Sequence, residues 1–214
     1  MIEYIVSENI DDRILRKTAN LLENGGTAII PTDTSWSVIC SMNSRDGIKR
    51  LKTISRERDE RHFTLLCSDI SQFDEFCSLD NSRFRLIKRL SPGPYVFILK
   101  TLLGTEKALG LRRHEIGVRL PDYPVPAALI NTLGCPLYGI TAKRTMLPNE
   151  LEYEPGDLWS EETLFDGGWE MEDIQGVDII LDPGEDRNRI LSTVLDLSSG
   201  EVELVRQGAG HWPI

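Results

Sequence analysis

The sequence predicts a mixed-sheet α/β or α+β domain, and three observations predict it. Short apolar, β-branched runs alternate along the chain with segments whose apolar residues recur every three to four positions. Turn-forming clusters such as Pro92-Gly93-Pro94 and Ser198-Ser199-Gly200 separate them. At 214 residues the chain can bury one sizeable core, so a single domain over 1–214 is expected.

Tyr4 to Val6 reads as a first short strand. Ile10, Ile14, Leu15, Thr18, Leu21 and Leu22 then make one helical stripe, with Gly25 as its stop. Thr27 to Ile30 has the character of an interior strand, and Pro31, which cannot donate to a ladder, ends it. A second strand follows over Trp36 to Cys40. The next helix starts near Ser44, turns Ile48, Leu51 and Ile54 inward and ends close to Arg58. Phe63 to Cys67 is a strand, and short helices are expected at Ile70 to Cys77 and at Ser82 to Leu90, the latter capped by Asp80 or Asn81. Pro92-Gly93-Pro94 turns the chain into a strand over Tyr95 to Thr101. Ile116 to Leu120 is a strand, Val125 to Leu133 a helix and Leu137 to Thr141 a strand. After an acidic, loop-rich insertion over about 145–175 come strands at Val177 to Leu181, Thr193 to Leu197 and Val202 to Val205, the last two forming a hairpin.

Charge is unevenly distributed. The net charge is −10, yet residues 1–144 hold 21 Lys and Arg against 17 Asp and Glu, whereas 145–214 hold 3 against 17. An acidic total therefore does not exclude an anionic ligand. The insertion reads as a solvated stretch. Cys40, Cys67, Cys77 and Cys135 lie in apolar segments without a C-x-x-C pair, so they read as reduced core residues. Three scattered histidines give little material for a dedicated metal site, although magnesium carried by ATP needs few protein ligands. No apolar run approaches a membrane span and the N-terminus lacks signal-peptide character, so the expectation is a soluble, cytoplasmic protein with no membrane partner.

Candidate site residues cluster at the ends of the elements. Pro31-Thr32-Asp33-Thr34 places two hydroxyls and a carboxylate at the tip of a buried strand, where α/β folds bind ligands. Arg56 and Arg58 end a helix, Arg119 ends a strand, Lys143 and Arg144 follow Thr141, and Arg206 ends a late strand.

The succession IIPTDT, R-x-R at Arg56 and Arg58, SPGPYVFIL from Ser91, GVRLPDYP from Gly117, TAK at Thr141, STVLDL from Ser192 and VRQG from Val205 resembles the YrdC-like threonylcarbamoyl-adenylate synthase family over nearly the whole chain. Within that family RHFTLLC and TMLPNE are most similar to the YciO branch. The resemblance implies a twisted mixed sheet flanked by helices around a concave, positively charged cavity. It implies ATP with magnesium, L-threonine and bicarbonate as substrates, giving threonylcarbamoyl-adenylate and pyrophosphate for tRNA modification. It also implies, as the competing reading, a non-catalytic binder of double-stranded RNA or tRNA whose phosphates would meet Arg56, Arg58, Arg61, Arg119, Lys143 and Arg206. On the first reading Arg58, Thr34 and Arg119 carry catalysis, with Thr32 joining them around the amino acid. Arg56, Arg58, Thr141, Lys143, Ser192 and Arg206 hold the nucleotide, arginine's planar fork suiting both carboxylate and phosphate. Four places depart from the family's usual form: Ser35-Trp36-Ser37 follows PTDT in place of Tyr-Gly, Arg56-Glu57-Arg58 replaces Lys-x-Arg, Cys67 stands where a histidine is usual, and Thr141-Ala142-Lys143 replaces Ser-Ala-Asn.

Overall fold

The computed structural model describes residues 1–56, 63–148, 160–187 and 189–213. Among these, ten strands form one sheet: β1 (Ile2–Tyr4), β2 (Ala28–Ile30), β3 (Ser37–Ser41), β4 (Thr64–Leu66), β5 (Tyr95–Lys100), β6 (Glu115–Arg119), β7 (Leu137–Thr141), β8 (Ile179–Asp182), β9 (Thr193–Asp196) and β10 (Glu203–Arg206). Their spatial order is β1-β8-β2-β3-β7-β4-β6-β5-β9-β10. The sheet is mixed: β8 runs parallel to both β1 and β2, β4 to β6, and β5 to β9, with antiparallel pairs between them. Strands from the two ends of the sequence thus lie side by side, β8 between β1 and β2.

The helices are α1 (Asp12–Glu23), α2 (Arg45–Ser55), α3 (Ser71–Phe76), α4 (Asn81–Leu90), α5 (Leu103–Leu109) and α6 (Pro124–Leu133). Each of α1, α2 and α4 begins where a side-chain oxygen replaces a missing helical partner. Asp11 accepts from the Arg13 amide at 2.8 Å, Ser44 from Gly47 at 3.2 Å, and Asp80 from Ser82 and Arg83 at 2.9 and 2.8 Å. Leu15, Thr18, Ala19 and Leu22 form the buried stripe of α1, and Ile48, Leu51 and Ile54 that of α2. Gly47 brings α2 close to the sheet, since a Cβ there would meet Cys40 Cβ at 3.1 Å. Cys40 and Val38 therefore face α2, and Ser37 and Ile39 face the other side.

Several element boundaries differ from the sequence expectation. The first strand lies at Ile2–Tyr4, because Ile2 and Tyr4 register against Ile180 and Asp182, and Val6 is left exposed. Helix α2 stops at Ser55, since Arg56 turns into the left-handed region at φ 53°. Helix α5 was not expected at all. Its cap residue is Leu102, which offers no side-chain acceptor, and Gly104 weakens its first turn. From Ser160 onward the acidic stretch is packed rather than solvated: Leu164, Phe165, Met171 and Ile174 are buried between two short 3-10 turns and β8. Its earlier part, residues 149–159, lies outside the described residues. Among the described residues no helix is long and apolar enough to cross a membrane.

Candidate functional site

Burial alternates along β5: Tyr95, Phe97 and Leu99 are buried, while Val96 and Ile98 are half-buried. The half-buried face opens onto a cavity of ≈ 560 Å³. Seven strands consecutive in the sheet, from β3 to β10, contribute to its lining, so the sheet curls around it. Thr64 lines it, in register with Gly139 on one side and Gly117 on the other. Beyond these glycines the same row continues into Ile39 and Ile98. Glycine in a strand interior weakens the strand, and here it leaves the floor low on both sides of Thr64. A Cβ at Gly139 would come within 2.9 Å of Ile39 Cγ2, and one at Gly117 within 3.0 Å of Val96 Cγ1.

The polar groups gather at one end. Arg119, the last residue of β6, is 5 % exposed, and its Nη2 meets Asp33 Oδ1 at 2.6 Å. Its Nη1 donates to Thr34 Oγ1 at 2.9 Å, and its Nε to the Gly93 carbonyl at 3.4 Å. Burial pushes the Arg119 guanidinium below its ordinary value, and the Asp33 carboxylate opposes that shift. Thr34 Oγ1 also lies 3.4 Å from Ser192 Oγ. Arg206, at the end of β10, donates Nε and Nη2 to the Ser192 carbonyl at 3.2 and 2.9 Å. Burial, and then the neighbouring charge of Arg119, push Arg206 down to about 10.

Thr32 shapes the loop. Its hydroxyl donates to the Ser35 carbonyl at 2.6 Å and accepts from the Thr34 amide at 3.2 Å. Neither Thr32 nor Thr34 is among the residues lining the cavity; both are buried, Thr34 against Arg119 and Ser192 and Thr32 one step behind it. Of the other expected site residues, Thr141, Ser192, Arg119 and Arg206 line the cavity. Arg56 does not: its Nη1 donates to the Thr145 and Leu147 carbonyls at 3.3 and 3.2 Å. Lys143 is fully buried and also outside the lining. Arg58 and Arg61 lie outside the described residues. The positive charge that the described residues give this cavity is thus concentrated at one end, in Arg119 and Arg206.

The rest of the lining is mostly aliphatic, with Val96, Ile98 and Val194 prominent. Residues that sequence reasoning did not single out are Gly139 in the lining, Gly117 beside Thr64 in register, and Arg187, whose Nη2 reaches the Thr32 carbonyl at 2.5 Å; the Asp33 carboxylate was placed at the strand tip, but not its partner Arg119. The glycines had a readable signal, being isolated within strands. Arg187, in an acidic and irregular stretch, had none. Among the described residues no three of His, Cys, Asp and Glu converge as a metal site would require. The carboxylate at the site, Asp33, is already engaged by Arg119, which fits a magnesium ion that arrives held by phosphates and water.

Comparison with known proteins gives consistent results. A family model for Sua5, YciO and YrdC, described as telomere recombination, matches residues 20–154. The uncharacterized protein YciO of Escherichia coli K12 is 31% identical over 210 residues, 97% of this chain and 95% of that protein. The crystal structure of E. coli YciO superposes with a TM-score of 0.78 at 29% identity, covering 99% of this chain and 97% of that one. A threonylcarbamoyl-AMP synthase of Mus musculus is 24% identical over 196 residues, 91% of this chain and 66% of that protein. The structure of P. abyssi Sua5 complexed with L-threonine matches with a TM-score of 0.78 at 21% identity, over 97% of this chain and 57% of that one, a likeness of fold.

Proposed function

Since the chain belongs to the Sua5/YciO/YrdC family, we propose that its cavity binds an adenine nucleotide together with a small amino acid, and that the protein is a nucleotidyltransferase of the threonylcarbamoyl-adenylate synthase type. The observation that carries this reading is the polarity of the cavity: an aliphatic floor for a flat, apolar-faced group, closed at one end by the Arg119 and Arg206 guanidiniums. Its volume of ≈ 560 Å³ lies within the range of small-ligand sites. The mouse relative named as a threonylcarbamoyl-AMP synthase supports the same reaction class.

The chemistry asks little of the protein beyond placement. The amine of L-threonine adds to carbon dioxide derived from bicarbonate and loses a proton to give a carbamate. A carbamate oxygen then attacks the α-phosphorus of ATP, and the bond to the β-phosphate breaks to release pyrophosphate with its magnesium. No protein nucleophile enters, so the rate rests on alignment and charge neutralisation. Arg119 and Arg206 supply the charge. Asp33 and Thr34 hold Arg119 at a fixed angle, which pre-organises it for a carboxylate or phosphate. Thr141 and Ser192 offer hydroxyls for phosphate or ribose from the same lining.

The nucleic-acid reading finds less support. A backbone-binding groove needs several accessible cations side by side. Of the six it relies on, four are among the described residues: Arg119 and Arg206 line the cavity, Arg56 turns to backbone carbonyls and Lys143 is buried.

The test is incubation with ATP, magnesium, L-threonine and bicarbonate, read by mass spectrometry for threonylcarbamoyl-adenylate with pyrophosphate release in parallel. A threonine-dependent adenylate is expected, falling by about 100-fold or more in Arg119→Gln, the scale of losing a preorganised charge contact. ATP binding without a threonine-dependent product would overturn the synthase reading and leave a nucleotide-binding protein.

A further inference from the structure

The PTDT loop owes its position to a residue remote from it in sequence. Arg187 lies in the segment between β8 and β9, and its Nη2 donates to the Thr32 carbonyl at 2.5 Å. Its Nη1 reaches Tyr123 Oη at 3.3 Å while its guanidinium carbon lies 4.3 Å from the centre of the Tyr123 ring. Tyr123 Oη in turn lies 2.8 Å from Ser7 Oγ. The Arg187 amide donates to the Asp166 carbonyl at 2.8 Å, the same carbonyl that accepts Trp36 Nε1 at 3.2 Å. The guanidinium thus joins the PTDT loop to Tyr123, while the Arg187 amide ties the same residue to the Asp166 carbonyl.

We propose that Arg187 is a positioning residue: seated on Tyr123, it clamps the PTDT loop through the Thr32 carbonyl and so fixes Thr34 and Asp33 against Arg119. The division of contacts supports this. The Thr32 hydroxyl is engaged inside the loop and the Asp33 and Thr34 side chains are engaged by Arg119, so that, beside the long 3.4 Å contact of Thr34 with Ser192, the Thr32 carbonyl is the loop's handle to the opposite segment. Arginine suits the task because its planar fork can stack on a ring and donate at its edge at once, which lysine cannot do. Arg187 Nε is buried and has no hydrogen-bond partner among the described residues. Burying a charged donor incompletely satisfied is unfavourable, so stacking and the two Nη contacts must hold it there.

The geometry of the clamp stands apart from the nucleotide reading, whereas its effect on ligand affinity rests on that reading. Hydrogen–deuterium exchange of the full chain separates the two. In Arg187→Met the peptide covering Thr32–Trp36 is expected to exchange about tenfold faster, with α2 and β7 unchanged. Tyr123→Phe keeps the ring and loses the hydroxyl, and is expected to raise exchange in the same peptide by a smaller factor; it serves also if Arg187→Met does not fold. Unchanged exchange at this loop in the folded variants would overturn the clamp, as would an equal rise across β2, β3 and β7, the mark of a general stabiliser. Titration with ATP then reads the consequence, with about tenfold weaker binding expected in Arg187→Met. Equal affinity in variant and wild type would remove the clamp from ligand binding, whereas failure of the wild type to bind ATP would count against the proposed function and leave the exchange result standing.

Discussion

Arg206 sits where its own charge is unwelcome. Burial disfavours the cation and Arg119 repels it, and together they bring its value down to about 10. At neutral pH the residue is still protonated, so the folded protein carries an unfavourable term that relaxes when an anion enters the cavity. On the proposed function that difference favours recognition, because a ligand's phosphate would relieve at Arg206 what water relieves only in part. Pyrophosphate at low ionic strength is therefore expected to raise the melting temperature, by about 2–4 °C for each kcal/mol of linked stabilisation, RT ln(1 + L/Kd) at free ligand concentration L, in a chain of this size. Arg206→Met removes the charge and keeps the aliphatic stem. It should fold about as stably as wild type without ligand, relief of the buried charge offsetting the two lost bonds to the Ser192 carbonyl, and its melting temperature should respond much less to pyrophosphate. A variant that melts well below wild type yet keeps the full response would refute this account of Arg206.

The elements carrying the site can be argued from β6 and β7. Each has a glycine at its centre, and the register places both beside Thr64 in the cavity floor. Their surroundings differ. At Gly139 a methyl group would meet Ile39 Cγ2 at 2.9 Å and the Val38 carbonyl oxygen at 3.1 Å, and a paired strand cannot retreat. Gly139→Ala is expected to cost about 1–3 kcal/mol in denaturant unfolding. At Gly117 the nearest atoms are Val96 Cγ1 and Thr64 Oγ1, at 3.0 and 3.1 Å, both on side chains that border open space. Gly117→Ala should cost less than about 1 kcal/mol and should weaken nucleotide binding, since the displaced side chains move into the cavity. Equal destabilisation by the two substitutions would argue against this difference. The same strands show what a sequence can reveal. Leu137–Thr141 was readable to the residue because its apolar run ends at a polar site, and α4 because Asp80 supplies its cap. Helix α5, with no capping side chain and a glycine in its first turn, carried no such signal. Thr34 and Arg119 were readable as candidates from their places at the ends of strands. Their 2.9 Å contact was not, since it depends on a strand order that no local pattern encodes.

At the scale of the whole molecule, acid is the condition that exposes how the fold uses its carboxylates. Asp11 is brought down to about 2, chiefly by its hydrogen bond with the Arg13 side chain. Asp69 is lowered by its bond with Ser71, Asp80 by the Arg83 amide, and Glu106 by the Thr101 hydroxyl and then His114. At Glu170 burial works the other way, but the bonds from Arg144 and from the Gly167 and Asp166 amides outweigh it. All five shifts have one sign. Between the lowered folded values and the ordinary carboxylate range, the unfolded chain binds more protons than the folded one. Their stabilisation is therefore complete above that range and is lost as pH falls through it toward about 2. The groups involved cap α1 and α4 and join Arg144 to the packed part of the acidic stretch. Melting temperature, followed by circular dichroism, should be nearly level from pH 7 to 6 and fall progressively from pH 5 to 3. Exchange in α1 and α4 should rise ahead of that in the central strands β3 and β7. Asp80→Asn keeps a capping oxygen while removing the titration, so it should flatten the pH dependence at α4 with little loss of stability at pH 7. If exchange in that variant rose with acid as steeply at α4 as in wild type, the acid response would have to come from the general charge of the chain, and added salt would then suppress it.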